Sequence, residues 1–514
     1  MFKKYISSST AKLEEFCANP FKTVIFFAVL LTLFYTVQNS LLQNVMSSEA
    51  LEAVSRGAQS SLGHTQYPPL SGWLAYAISF AGNHKDWVLY LATQLCLGIS
   101  VVYVYKTAKL FCSEFAAGTA ALLCYFIYYY NPAKMDFCAY ALEMMIVPIA
   151  SYNFFQALRD DKIKNWIALG IFCAGGLLNQ YSFILVMIAF AVIFFRDKKN
   201  LQQLKNYRLY AAIGITVLLI VPHLKWLTVN DFITVRQMFV STPGKHLRYK
   251  PLFELAVAIY PYIMMLAILL AALLPDFRQR ERCSIDRNNG INALLIAAVP
   301  AAALIMIAIF VQVPAMSFCS MSALAAVAAV CLFPRNIDKK FFARMVVLLE
   351  LFSIIVMVVS TVYLLKKSQP HVHSNPEVYT KSATNFYNQN SIIKIPVVVG
   401  TAPEAALLEK YLPDHPPACI AGDKLALDRY REKIKKEGAL LIFTPGANGS
   451  MMPPEMDEFF KQMNYKVTPP VKLSRIVYFY KARWGKRQKQ LFYLGYLPPE
   501  NNTQSITIVP VKDK

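Results

Sequence analysis

The sequence predicts an all-α, polytopic membrane domain of about eleven spanning helices, followed by a small α/β domain. Three observations carry this. The 514 residues are 56% hydrophobic and only 16% charged, with a mean hydropathy of +0.38, whereas a soluble globular chain holds about 25% charged residues. Apolar runs recur from residue 22 to residue 366, separated by polar loops. After Lys366-Lys367 the composition shifts to short β-like runs alternating with amphipathic helical ones.

Taken in order, residues 1–21 form a basic cytoplasmic segment with Lys3, Lys4 and Lys12. The apolar run from Thr23 to Val37 lacks a small-x-small cleavage site and reads as a retained signal anchor. The expected spans are 22–42, 86–105, 115–131, 138–157, 166–180, 182–195, 209–226, 254–275, 292–311, 317–333 and 342–366. Several fall short of the roughly 20 residues that cross a bilayer. The pair 166–180 and 182–195 also fits two half-spans around Asn179-Gln180-Tyr181. This membrane domain, 22–367, carries outer loops at 43–85 and 227–253.

Loop charge orients the stack. Lys106, Lys109, Arg159, Lys162, Lys164, Arg196, Lys198, Lys199, Arg278, Arg280, Arg335 and Lys339 occupy one set of loops, and the opposite set is poorer in Lys and Arg. By the positive-inside rule the richer set is cytoplasmic. The loop after the first span and residues 368–514 then face outward, into the periplasm or, for a eukaryotic source, a lumen.

The net charge of +21 does not point to nucleic acid. Its cations lie mostly between apolar runs, where they set topology and meet anionic lipid. The ten cysteines are scattered, without a C-x-x-C pair or a Cys/His cluster. Structural zinc is therefore not expected, and Cys419 alone cannot make a disulfide within residues 368–514. In that region strands are expected at 392–399, 439–443, 475–480 and 490–496, with helices at 402–411, 424–436 and 454–463. It holds neither a Gly-rich phosphate loop nor a nucleophile elbow.

The chemistry is expected at the outer face, because ionisable groups near lipid are costly and mark function. On a helix, Glu49, Glu52 and Arg56 share one stripe, while Met46, Ala50, Ala53 and Val54 share another. That pattern suits a short helix at the membrane surface, apolar side down. It equally suits a solvated loop with one Glu52–Arg56 ion pair worth a few tenths of a kcal/mol. The turn Tyr67-Pro68-Pro69-Leu70 follows. Further candidates are Asp136 and Glu143, the stretch Pro222-His223-Leu224-Lys225-Trp226 with Asn230-Asp231-Phe232 and Arg236, and a basic loop with Lys245, Arg248 and Lys250. Lys85 adds another outer cation. Carboxylates and cations facing one cavity suit a phosphate-linked substrate: cations hold the phosphate and a carboxylate takes the proton from an attacking hydroxyl. Blander roles compete: His223 as a satisfied interfacial histidine, Glu143 as a helix bridge, and Trp73, Trp87 and Trp226 as aromatic-belt anchors.

The acid after span one, the L-G-x-x-x-x-P-P-L-x-x-W turn (Leu62 to Trp73) and the P-H-L-x-W-L…N-D-F pattern (Pro222 to Phe232) together resemble the GT-C membrane glycosyltransferases. The resemblance is to the bacterial branch related to protein O-mannosyltransferases and lipid A aminoarabinose transferase, and it covers roughly residues 20–240. It implies a polyprenyl-phosphate sugar donor, a lipid A or core-sugar, glycan or protein acceptor, and inversion at the sugar carbon. No metal or other cofactor is implied. It puts Glu49 at the family's acid, where Asp is usual, with Glu52 beside it and Asp136 at a second acidic position. Arg56, Lys85, Lys225, Arg236 and Arg248 become candidates for the donor phosphate. Tyr67, Pro68, Pro69, Glu143, His223 and Tyr181 become candidates for the substrate cavity. Two departures stand out: Gln180-Tyr181 where the family often has Lys-Tyr, and Tyr67 where some members have Lys or His. The rival classes are a transporter or flippase of a lipid-linked sugar, which should show repeat symmetry and paired broken helices, and a non-catalytic glycan-binding membrane protein.

Overall fold

The computed structural model describes residues 15–127, 130, 136–240, 268, 287–310, 319–331, 337–367, 373–446, 452–463 and 471–500. The chain begins with α1 (Pro20–Leu42), α2 (Ser48–Ala58), α3 (Leu70–Ala81), α4 (Trp87–Lys109) and α5 (Glu114–Leu123). Then come α6 (Ala139–Asp160), α7 (Ile163–Asn179), α8 (Phe183–Arg196), α9 (Tyr207–Val229) and α10 (Ile233–Val240). The helical part closes with α11 (Arg287–Phe310), α12 (Cys319–Cys331) and α13 (Lys339–Lys366).

Among the described residues, α1, α4, α9 and α13 are long and apolar enough to cross a membrane. Their outward faces are apolar: Val29, Leu33 and Val37 on α1, Val217, Leu218 and Val221 on α9, and Ile354, Ile355, Val358 and Val359 on α13 are exposed. Lipid is the medium in which such a surface is stable. Inward packing relies on small residues. Ala116, Ala117, Ala120 and Ala121 of α5 and Ala325 and Ala326 of α12 are buried, and α5 packs on α12. With no hydrophobic drive between helices in lipid, such side chains let backbones approach closely. The expected span 254–275 lies outside the described residues apart from residue 268. The expected span 115–131 is corrected: α5 ends at Leu123 and a 3-10 turn, Cys124–Phe126, follows.

The expected outer loop 43–85 is mostly helix. Ser47 caps α2, its hydroxyl accepting from the Ala50 N–H. Met46, Ala50, Ala53 and Val54 are buried, as their stripe requires. They are not laid against lipid, however. The helix packs between α3 and a helix of the C-terminal part. The crossing with α3 is set by two glycines, since a Cβ on Gly57 would lie 2.0 Å from the Gly72 carbonyl oxygen.

After α13 come α14 (Pro376–Asn388), β1 (Val398–Gly400), α15 (Ala402–Tyr411), β2 (Ala418–Ile420), α16 (Lys424–Glu437), β3 (Ala439–Phe443), α17 (Pro454–Met463), β4 (Lys472–Tyr480) and β5 (Gln488–Leu497). The sheet runs β2-β1-β3-β5-β4, with β1 parallel to both neighbours and β5 antiparallel to both of its own. Strand alternation divides the core. Val399, Leu441 and Phe443 meet Leu427, Ile434 and Phe459 on one face. Val398, Leu440 and Ile442 face Ala405 and Leu408 of α15 on the other. The strand expected at 392–399 is corrected to 398–400. Ile392 and Ile393 are exposed, and Pro396 has no N–H for a ladder.

Candidate active site on the α2–α3 hairpin

The site is built on α2. Glu49 sits in its first turn and Glu52 and Arg56 follow on the same face. Arg56 Nη1 lies 3.6 Å from Glu52 Oε2, and its guanidinium stacks over the Tyr67 ring at 4.4 Å. The Arg56 Nε is buried and has no hydrogen-bond partner among the described residues. Asp136, itself buried, accepts from the Ser47 N–H at 2.7 Å. It thereby anchors the N-terminal end of α2, where the helix dipole favours a carboxylate.

Burial raises the carboxyl groups of Glu49 and Glu52, with Arg56 opposing the shift in both. Burial likewise raises Asp136, against the Ser47 hydrogen bonds, and lowers Arg56, against Glu52. Glu52 and Arg56 are largely shielded while Glu49 is exposed on its outer side, and among the described residues Glu49 lacks the direct ion pair that Glu52 has.

The two sequence patterns meet here. His223 Nδ1 lies 2.7 Å from the Leu62 carbonyl oxygen and Nε2 lies 2.7 Å from the Tyr181 hydroxyl. A Cβ on Gly63 would fall 2.4 Å from the Trp226 ring, so glycine is what lets the two segments touch. Trp226 is thus a packing partner of the 62–67 turn rather than a belt anchor. Trp73 donates to the Ser61 carbonyl at 2.9 Å and closes that turn. Asp231 and Phe232 both hold positive φ, a strained reversal that delivers Thr234, whose hydroxyl donates to the His64 carbonyl.

Pro68 and Pro69 are buried and Tyr67 is half-buried. Glu143 is fully buried in α6 and accepts from the Ser182 hydroxyl at 3.1 Å. Lys85, Lys225 and Arg236 are exposed. Arg248 and the rest of its basic loop lie outside the described residues.

Sequence reading missed the contribution of the C-terminal part. A cavity of about 250 Å³ opens between α2 and the α/β unit, with Glu52, Arg56 and His64 on one side and Asp423, Glu455 and Glu458 on the other. Tyr67, Pro68, Pro69, Glu143, Tyr181 and His223 do not line it. Thr65 donates to Asp423 at 2.6 Å, and Arg429 donates to the Gln59 carbonyl. Lys410, on α15, is buried against Asp86 at 3.0 Å, and the Tyr411 hydroxyl donates to the other Asp86 oxygen. No signal in a single sequence pairs residues so far apart. Among the described residues, no group of three or more His, Cys, Asp or Glu could hold a metal ion.

Residues 66–226 match the family described as dolichyl-phosphate-mannose-protein mannosyltransferase. The lipopolysaccharide core galacturonosyltransferase RgtB of Rhizobium johnstonii is 25% identical over 202 residues, covering 38% of this chain and 41% of that protein. Its relative RgtA from the same organism is 22% identical over 255 residues, covering 48% and 51%. The matches therefore span about half the length of these relatives or less. The crystal structure of ArnT from Cupriavidus metallidurans bound to undecaprenyl phosphate superposes with a TM-score of 0.58 at 12% identity, covering 92% of this chain and 97% of that one. At that identity the likeness concerns the fold.

Proposed function

We propose that this chain, a membrane protein built on the GT-C fold, is a glycosyltransferase that moves one sugar from a polyprenyl-phosphate donor to a lipid A or core-sugar, glycan or protein acceptor. The observation that carries this is the α2 cluster: two carboxyl groups raised by partial desolvation and a largely shielded guanidinium on one helix. Three likenesses support it. The family match covers Tyr67-Pro68-Pro69 and Pro222 to Trp226, the relatives named above act on the lipopolysaccharide core, and the ArnT structure holds undecaprenyl phosphate.

In the reaction the acceptor hydroxyl attacks the sugar carbon from the face opposite the phosphate. A new C–O bond forms as the bond to the phosphate oxygen breaks, and polyprenyl phosphate leaves with the electron pair. Glu49 takes the hydroxyl proton. Its raised carboxyl is a better base near neutrality than an ordinary one. Arg56 faces the developing charge on the leaving phosphate, a task that desolvation makes more effective. Glu52 orients Arg56, Asp136 fixes the start of α2, and the exposed Lys85, Lys225 and Arg236 attract the donor headgroup.

The chain then crosses a bacterial inner membrane about eleven times, with the α2 hairpin and the α/β unit on the periplasmic side. Purified protein given radiolabelled undecaprenyl-phosphate galacturonic acid or aminoarabinose, with lipid A–core as acceptor, should label the acceptor and release undecaprenyl phosphate. Movement of intact donor across vesicles with no labelled acceptor would instead make it a flippase.

A further inference from the structure

The cavity beside Glu52 has two unlike walls. The wall from the membrane unit offers Glu52, Arg56 and His64. His64 is 5% exposed, and its Nε2 has no hydrogen-bond partner among the described residues. A buried ring nitrogen left unpaired is costly unless a ligand meets it. Burial, with Arg56 and Arg429 nearby, lowers its pKa to about 3, so the ring is neutral at ordinary pH and able to meet a hydroxyl as donor or acceptor.

The wall from the α/β unit offers Asp423, Glu455 and Glu458 and no basic side chain among its lining residues. Glu455 and Glu458 are one turn apart on α17 and both exposed. Asp423 is partly engaged, accepting from Thr65 and from the Leu425 and Ala426 N–H groups. Three carboxylates repel phosphate and uronate and attract hydroxyl or ammonium donors. The donor carries its phosphate one bond from the sugar, so its headgroup is favoured beside Arg56 and disfavoured at the Asp423, Glu455 and Glu458 wall. At about 250 Å³ the space falls below the 300–1,000 Å³ of sites for drug-sized ligands. It suits a single ring.

We infer that this cavity binds the acceptor: one sugar ring bearing hydroxyl or ammonium groups and no acid group, gripped by Glu455 and Glu458 on one side and by His64 and Glu52 on the other. The inference rests on the transferase reading above. The α/β unit thereby selects the acceptor while α2 performs the transfer.

Two measurements test it on the full-length protein in detergent. In saturation-transfer NMR, glucosamine should receive signal and galacturonic acid should not. The double variant Glu455→Gln/Glu458→Gln, altered only at exposed positions, should weaken glucosamine binding about tenfold, the loss of roughly one charge-assisted hydrogen bond. In the transfer assay the same variant should raise the KM for lipid A–core about tenfold and leave the donor KM unchanged. Equal binding of both sugars, an unchanged acceptor KM, or a rise confined to the donor KM would each overturn the assignment. A protein that binds glucosamine through Glu455 and Glu458 yet transfers no sugar would support the ring site and sink the transferase reading.

Discussion

Glu49 and Glu52 lie three residues apart on one helix face but in different surroundings. Glu52 is held by Arg56 at 3.6 Å. Glu49, exposed to solvent, has no such pair among the described residues, and partial burial still pushes its carboxyl up. Replacing Glu49 with Gln keeps the shape and removes the base, so transfer should fall by about 10²–10⁴-fold while donor binding survives. Glu49→Asp should keep part of the rate. Glu52→Gln should cost less, because Arg56 remains. A parental rate in Glu49→Gln with an inactive Glu52→Gln would move the base one turn along α2. The pH profile follows from the direction of the shift. Glu49 works deprotonated and its pKa is raised, so activity should drop as pH falls through a limb lying above the ordinary carboxylate range.

Helix α2 is held from both sides, and each contact can be weakened by a single change. Against α3, the Gly57–Gly72 crossing leaves no room for a methyl, since a Cβ on Gly57 would also meet Tyr76 Cβ at 2.6 Å. Gly57→Ala should destabilise the protein by about 1–3 kcal/mol, the usual cost of overpacking, and lower the thermal midpoint in detergent. Gly214→Ala on α9 is the matched control: a Cβ there meets nothing within 4 Å, and alanine suits a helix better than glycine. Against α15, Glu409 is buried beside Ser55 of α2. Burial pushes its carboxyl from 4.5 up to about 8, with the Ser55 hydroxyl and Ala418 N–H pulling the other way. The folded state therefore holds a proton that the unfolded chain gives up. This stability is fully present below pH 4.5 and is lost as pH rises towards and through about 8. Thermal midpoints measured across that range should decline, and Glu409→Gln should flatten the decline.

At the scale of the whole molecule, the α2–α3 hairpin and the α/β unit are one assembly, tied by Lys410–Asp86, Tyr411–Asp86, Thr65–Asp423 and Arg429–Gln59. They must share one side of the membrane. The buried Lys410–Asp86 pair sets their register, because either charge alone would be left desolvated. An impermeant maleimide applied to cells with a permeabilised outer membrane should label Ser60→Cys and Asp414→Cys alike and spare Lys198→Cys on the opposite face. Labelling at Lys198→Cys with silence at Ser60→Cys would invert the orientation.

The sequence alone determined the helical membrane part, the polar stripe of α2 and most helices and strands after Lys367, but not α14 or β2. Each of these is written locally, in apolar run length, in periodicity and in the spacing of neighbours along one element. The PPL turn and the His223 segment were visible as two separate patterns, and the sequence held no clue that Trp226 would lie on Gly63. Only the tertiary structure decided that the apolar stripe of α2 faces protein instead of lipid, since lipid and protein cores make the same hydrophobic demand on a sequence. It also decided which charges meet. Asp86 with Lys410, and Glu52 with Asp423, Glu455 and Glu458 across one cavity, are separated by hundreds of residues, and such contacts depend on how the α/β unit docks and not on any local propensity.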